Sequence, residues 1–338
     1  MQAPPQIALV THPDCDLHQT GPGHSENDGR IPALLGAVRA DAALAASVVE
    51  HRGAPVAEED LLRVHTPAHV ARVRAAAESA RRSGDLVWLD PDTPVCPGSW
   101  DAALAAAGCV VTAAELVLEG KAPAAFALPR PPGHHANQSR AMGFCLFNNV
   151  AVAVRRLQAK GLAERVLVLD WDAHHGNGTQ DIFYEDPSVF VVSIHLVSGY
   201  PSTGKAGEVG AGAGTGTNRN VPLPRGTAGA RYRRNFLAAL DAALGAFRPD
   251  FVMISAGFDC LSGDPEGGFL LEPSDLYLLT SDLLERVPGP GKVAAALEGG
   301  YALDRIGGGL VEVLRALGGL PQASQAKVTP HKGNSASA

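Results

Sequence analysis

Short runs of aliphatic residues punctuate the chain, and longer Ala/Leu-rich stretches fill the space between them. Five of the short runs read as buried strands: 7–10 (IALV), 166–169 (VLVL), 189–195 (VFVVSIH), 251–255 (FVMIS) and 292–297 (KVAAAL). They are apolar almost throughout rather than alternating, the pattern of strands covered on both faces. The intervening stretches predict helices over Ile31–Val49, Ala102–Leu118, Asn149–Leu157, Ala228–Phe247, Ser274–Arg286 and Leu303–Leu317. Strand followed by helix, repeated, points to the α/β class, with a mainly parallel sheet between two helical layers. No repeat and no break in composition marks a second domain, so residues 1–320 are expected to form one. The Gly-rich segment 202–220 reads as a long loop embedded in that domain, and the small, polar stretch 321–338 as a disordered tail.

The polar clusters fall at the carboxyl ends of these strands. DWDAHH (170–175) follows VLVL, SAGFD (255–259) follows FVMI, and EGGY (298–301) follows AAAL. In open parallel sheets that edge is where ligands bind, so three clusters there suggest one composite site. Asp172 and His174, two apart in an extended segment, point to one side. With Asp259 they would give a divalent cation two carboxylates and an imidazole, leaving positions open for water and substrate. For any one cluster the competing reading is a hydrogen-bonded polar patch; the convergence of all three favours a metal site. The doublet His134–His135, in RPPGHHA (130–136), could face the same cavity, where a neutral histidine can take a proton from water and return it to a leaving amine. Tyr301 could donate its phenol to a developing oxyanion, its alternative being a tyrosine packed at a helix start.

Composition narrows the setting. With 338 residues, 46% of them hydrophobic, the chain can bury a large core. A net charge of −7 without a long Lys/Arg run gives no footprint for nucleic acid. The start, MQAPPQIALVTH, lacks the features of a signal peptide, and no apolar run is expected to reach the length of a membrane span. The five cysteines are scattered without a CxxC, which suggests free thiols and a cytoplasmic setting. Nothing sets an oligomeric state.

Taken in order, RPPGHHA, GFCLFNN, LDWDAHHGNGTQDIFY, VVSIH, SAGFDCLSGDPEGG and EGGY resemble the motif series of the zinc-dependent histone deacetylase superfamily, which also holds acetylpolyamine amidohydrolases. The resemblance runs from about Leu61 to the helix after Tyr301, and Asn177 in HHGNGTQ resembles the class II branch. It implies a single arginase-like α/β/α domain around an eight-stranded, mainly parallel sheet. It further implies zinc held by Asp172, His174 and Asp259, with His135 as general base and acid, His134 as its electrostatic partner and Tyr301 as donor to the carbonyl oxygen. Asp170 and Asn177 would support the histidines from behind. Asp170 with Ser193 and the backbone carbonyls of Asp172, His174 and Ile194 would hold a structural potassium ion. Phe144 and Tyr200 would wall a narrow channel, and Gly299 and Gly300 would keep it open near its floor. No role is expected for His175.

One element departs from the family pattern: the amino-terminal lip reads GHSENDGRI (23–31). Its acidic residues Glu26 and Asp28, with Glu266 on the loop expected at the channel mouth, favour a substrate with a second ammonium group. Small acetylated polyamines are therefore expected ahead of acetyl-lysine in proteins. An arginase-type manganese hydrolase would need more carboxylates for two metals, and a binding protein without turnover should have lost a ligand, a base or the tyrosine.

Overall fold

The computed structural model describes residues 6–287, 289 and 292–323; the tail expected over 321–338 therefore lies, beyond Ala323, outside the described residues. Among the described residues there are ten strands: β1 (Ile7–Thr11), β2 (Val48–Arg52), β3 (Val87–Asp90), β4 (Thr93–Val95), β5 (Ala125–Ala127), β6 (Val166–Asp170), β7 (Val189–Leu196), β8 (Asn218–Leu223), β9 (Phe251–Ala256) and β10 (Val293–Leu297). Eight form a single sheet in the order β2-β1-β5-β10-β9-β6-β7-β8, parallel at every described pairing, while β3 and β4 make a separate antiparallel hairpin. The helices are α1 (Arg30–Ala40), α2 (Ala42–Ser47), α3 (Glu58–Leu61), α4 (Pro67–Ser83), α5 (Ser99–Leu118), α6 (Asn149–Ala159), α7 (Asn177–Phe183), α8 (Gly229–Ala246), α9 (Pro273–Arg286) and α10 (Leu303–Leu317).

The period-two geometry of the strands divides the interior into two cores. Ile7, Leu9, Leu167, Leu169, Val252 and Ile254 face α1, α8, α9 and α10. Their neighbours Ala8, Val10, Val166, Val168, Phe251 and Met253 face α4, α5 and α6. The second core is lined with small side chains: Ala125 and Ala127 on β5, Ala294 and Ala296 on β10, and the alanines of α5 that cover them.

Two expectations are corrected. The stretch Ile31–Val49 is not one helix. Asp41 ends α1 and, accepting from the amides of Ala43 and Leu44, starts α2, after which the β-branched Val48 and Val49 leave the helix to pair with β1. An apolar run of spanning length does exist, since α5, twenty residues long, would pass by composition. It packs instead against β1, β5, β10 and α6.

Candidate active site

Every cluster singled out in the sequence emerges at the carboxyl end of the sheet. Neighbouring β6 and β9 bring DWDAHH and SAGFD together, while β5 and β10, also adjacent, deliver RPPGHHA and EGGY beside them. Strands 80 or more residues apart in sequence thus meet at one edge.

Asp172, His174 and Asp259 offer ligand atoms that all lie within 4.8 Å of one another. His174 Nδ1 sits 2.9 Å from Asp259 Oδ2 and 3.1 Å from Asp172 Oδ1. Backbone amides pin both carboxylates: Asp172 accepts from His174 N and Gly299 N, both at 2.8 Å, and Asp259 Oδ1 accepts from Ala173 N at 2.7 Å. Burial and the neighbouring Asp172 charge push the Asp259 carboxyl up to about 7. Burial opposes charge on His174 too, but its hydrogen bonds to Asp172 and Asp259 hold its pKa well above the ordinary value. Two buried carboxylates that repel each other across one imidazole form a donor set matched to a divalent cation, with oxygen and nitrogen donors of the kind zinc accepts. Gly299 makes room for it. A Cβ there would lie 2.4 Å from Asp259 Oδ2 and 2.6 Å from Asp172 Oδ2.

The two histidines of the doublet differ in what stands behind them. His134 Nδ1 is 2.9 Å from Asp170 Oδ2, whereas His135 Nδ1 is 2.8 Å from the neutral amide oxygen Asn177 Oδ1. Burial works against protonation of His134, but the charges of Asp172 and Asp170 raise it to about 10. Burial and the adjacent His134 charge drive His135 well below the ordinary value. The pair can therefore hold one proton on His134 and leave His135 free to accept another, with ring centroids 4.0 Å apart.

A cavity of about 110 Å³ opens in front of this group, lined by Asp92, His135, Gly143, Phe144, His174, Tyr200, Glu266 and Tyr301. Phe144 and Tyr301 meet edge to face at 5.7 Å, and the Tyr200 ring stands nearly perpendicular to His135 at 5.0 Å. Phe144 adopts a φ of 68°, a left-handed conformation unusual for an aromatic residue, with its amide donating to Thr93 Oγ1. Glu266 Oε1 accepts from Ser25 Oγ at 2.5 Å, which ties the loop after β9 to the amino-terminal segment. Asp170 and Ser193 are direct register partners on β6 and β7, and Ser193 Oγ lies 2.9 Å from His195 Nδ1. His175 faces away, towards Thr203 and Gln180.

Two expectations about the channel need correction. Gly299 and Gly300 are absent from the cavity lining: Gly299 backs the ligand carboxylates, and Gly300, at φ +114°, turns the chain against Phe258. Glu26 is not part of an acidic lip. It is fully buried, paired with Arg130 at 2.7 Å and Arg30 at 3.3 Å, so only Asp28 of that pair is exposed.

Several residues escaped the sequence reading. Asp92, a turn residue of the β3–β4 hairpin, faces the cavity. Glu298, immediately before the glycines, is buried at the centre. Its Oε2 accepts from Gly133 N at 2.8 Å and His134 N at 3.1 Å, and its Oε1 from Ser255 Oγ at 3.1 Å. Burial pushes its carboxyl up to about 7. Arg30 donates to the Gly300 and Glu298 carbonyls and lies 4.9 Å from the Tyr301 ring centroid. The only sequence signal for Glu298 and Arg30 was a charged residue beside a motif already marked.

Comparison with known proteins agrees with this geometry. Residues 24–317 match the histone deacetylase domain. A probable deacetylase of Methanothermobacter thermautotrophicus is 37% identical over 316 residues, covering 93% of this chain and 91% of that protein. A histone deacetylase-like amidohydrolase of Pseudomonas aeruginosa is 36% identical, covering 83% of this chain and 73% of its own. The crystal structure of the HDA15 HD domain superposes with a TM-score of 0.85 at 35% identity, over 94% of this chain and 89% of that one. The fold and site are those of a deacetylase-type amide hydrolase. The chain belongs to the histone deacetylase family, whose members depend on zinc.

Proposed function

We propose that the protein is a zinc-dependent deacetylase that hydrolyses the N-acetyl amide of a primary amine to acetate and free amine, with small acetylated polyamines preferred over acetyl-lysine in proteins. The observation that carries the chemistry is that the cluster Asp172, His174 and Asp259 reaches, through His174, the same narrow cavity that His135 and Tyr301 line. Asp172, His174 and Asp259 would hold the zinc, which when bound polarises the acetyl carbonyl and acidifies water. His135, neutral in its buried setting, takes a proton from the attacking water and delivers it to the amine nitrogen as the C–N bond breaks. Asn177 fixes the ring by hydrogen-bonding its far nitrogen. His134, kept cationic by Asp170, lends positive charge beside the developing oxyanion. The Tyr301 hydroxyl donates to the acetyl oxygen, and Phe144 and Tyr200 flank the alkyl chain and exclude water. Asp170 and Ser193, with nearby backbone carbonyls, would hold a potassium ion that stiffens the turn bearing Asp172 and His174.

The substrate preference rests on Glu266. A carboxylate at the mouth faces the far end of any substrate whose acetyl group reaches the floor, and Asp92 adds a second negative charge to the same cavity. An ammonium group there would gain about 1 kcal/mol, roughly fivefold in kcat/KM, which the neutral backbone of an acetylated protein cannot match. The test compares kcat/KM for acetylspermidine, acetylputrescine, acetylcadaverine and an acetyl-lysine peptide, in wild type and Glu266→Leu. The diamine and polyamine substrates should lead in wild type and lose that lead in the variant. A wild-type preference for the peptide would make acetylated proteins the substrate and leave the deacetylase chemistry standing.

A further inference from the structure

The backbone that carries Tyr301 is gripped from both sides. On the carbonyl side Arg30 Nε donates to Gly300 O at 2.7 Å. On the amide side one carboxylate oxygen, Asp264 Oδ2, accepts from Tyr301 N at 2.6 Å and from Ala302 N at 2.9 Å. The other oxygen, Asp264 Oδ1, accepts from Glu266 N at 3.0 Å. These amides have no helical partners: α10 starts at Leu303, and its N-cap position is Ala302, which has no side-chain acceptor of its own. The loop after β9 thus supplies the cap that the local sequence lacks. In the same stroke it joins the residue at the channel mouth to the residue facing the acetyl oxygen.

We propose that Asp264 is a positioning residue for catalysis: its carboxylate fixes the Tyr301 backbone, and with it the phenol, while tying the Glu266 segment to the same point. The inference rests on the role given to Tyr301 above. A phenol that must meet an oxyanion at hydrogen-bond distance has little tolerance for drift, and displacement of a catalytic group by about 1 Å costs on the order of 100-fold in rate. Asp264→Asn disturbs this arrangement with almost no change in size, because an amide NH₂ replaces one acceptor oxygen and faces donor N–H groups.

The experiment is a double-mutant cycle with a fluorogenic acetyl-lysine amide, using wild type, Asp264→Asn, Tyr301→Phe and the double variant. Asp264→Asn should lower kcat by about 10- to 100-fold, with KM within about twofold and bound metal unchanged, because the lost interaction serves the transition state. In the Tyr301→Phe background the same substitution should cost less than about twofold, since its route to the chemistry is already gone. Multiplicative losses in the double variant, or an Asp264→Asn kcat within twofold of wild type, would overturn the proposal. If Tyr301→Phe itself kept wild-type turnover, the role of Tyr301 would fall first, and the two failures are thereby distinguished. Hydrogen exchange on the unmodified protein needs no variant to fold. The Tyr301 and Ala302 amides should exchange slowly although they precede the helix, and exchange of both at open-loop rates would also overturn it.

Discussion

Replacing Gly299 by alanine tests the metal site at the point where the structure leaves no slack. The added Cβ would lie 2.4 Å from Asp259 Oδ2 and 2.6 Å from Asp172 Oδ2. Carbon–oxygen contacts close in to about 3.3 Å, so each carboxylate would have to retreat by roughly 0.7–0.9 Å. Neither is free to do so. Asp172 is held by the amides of His174 and Gly299, Asp259 by that of Ala173, and behind Asp172 stands Gly257, where a Cβ would come within 2.1 Å of its Oδ2. Metal–ligand distances tolerate only about 0.2 Å, so the displacement is several times what coordination can absorb. The fold itself should lose about 1–3 kcal/mol, the usual cost of overpacking. Metal affinity should fall by at least about 100-fold, beyond the upper range seen when groups that orient a ligand are altered. Metal content after dialysis against a buffered zinc solution, read with kcat and with urea unfolding of the metal-free protein, separates the two effects. Gly300→Ala is the control: at φ +114° with Phe258 nearby, it should lose stability yet retain metal. A Gly299→Ala protein with stoichiometric zinc and wild-type turnover would refute the assignment of Asp172 and Asp259 as ligands.

Three further outcomes are expected. Tyr301→Phe should keep its metal and slow kcat by on the order of 100-fold, about 3 kcal/mol for one oxyanion donor; wild-type turnover would remove the tyrosine from the mechanism. His65 donates one ring nitrogen to Asn137 O and accepts from Asn148 N on the other, and burial with the neighbouring His69 charge pushes its pKa down to about 3. Its contribution to stability is complete above pH 6.5 and is lost as pH falls towards 3, because the unfolded chain takes up a proton that the fold refuses. That amounts to about 2 kcal/mol by pH 5; other buried histidines such as His18 and His195 titrate in the same sense, so urea titrations at pH 7 and 5 should show a loss about 2 kcal/mol larger in wild type than in His65→Gln. Exchanging potassium for a large organic cation should lower both melting temperature and activity, and indifference to the exchange would count against an ion at Asp170 and Ser193.

What could be read from the sequence follows from what leaves a local trace. The central strands announce themselves because both faces are buried, so 166–169 and 251–254 are apolar without interruption. The edge strand β8, NRNVPL, is fully buried only at Asn218, Asn220 and Leu223 and opens with three polar residues, which fall within the expected loop at 202–220. The candidate ligands Asp172, His174 and Asp259 are legible because acidic and imidazole groups are unusual at the end of an apolar run. Glu26 was misplaced for the complementary reason: an acidic residue in a polar loop looks solvated, and its partner Arg130 lies 104 positions away. Asp92 gave no signal, since an aspartate between Pro91 and Thr93 is ordinary turn chemistry and only the fold turns it towards the channel.

The alanine lining beneath α5 makes the two faces of this sheet unequal as material for evolution. Where Leu9, Phe126, Leu167 and Ile254 meet α1, α8, α9 and α10, large side chains can exchange volume with one another, and a lineage can drift through many sequences of similar bulk. Where Ala125, Ala127, Ala294 and Ala296 lie under the alanines of α5, there is no volume to trade, and a single added methylene must lift the helix or bow the strand. The strands so constrained are β5 and β10, the two that carry the histidine doublet and Tyr301. A saturation library scored for activity should therefore record a quiet face and an intolerant one on the same sheet, with the intolerance reaching the active site through residues that never touch a substrate.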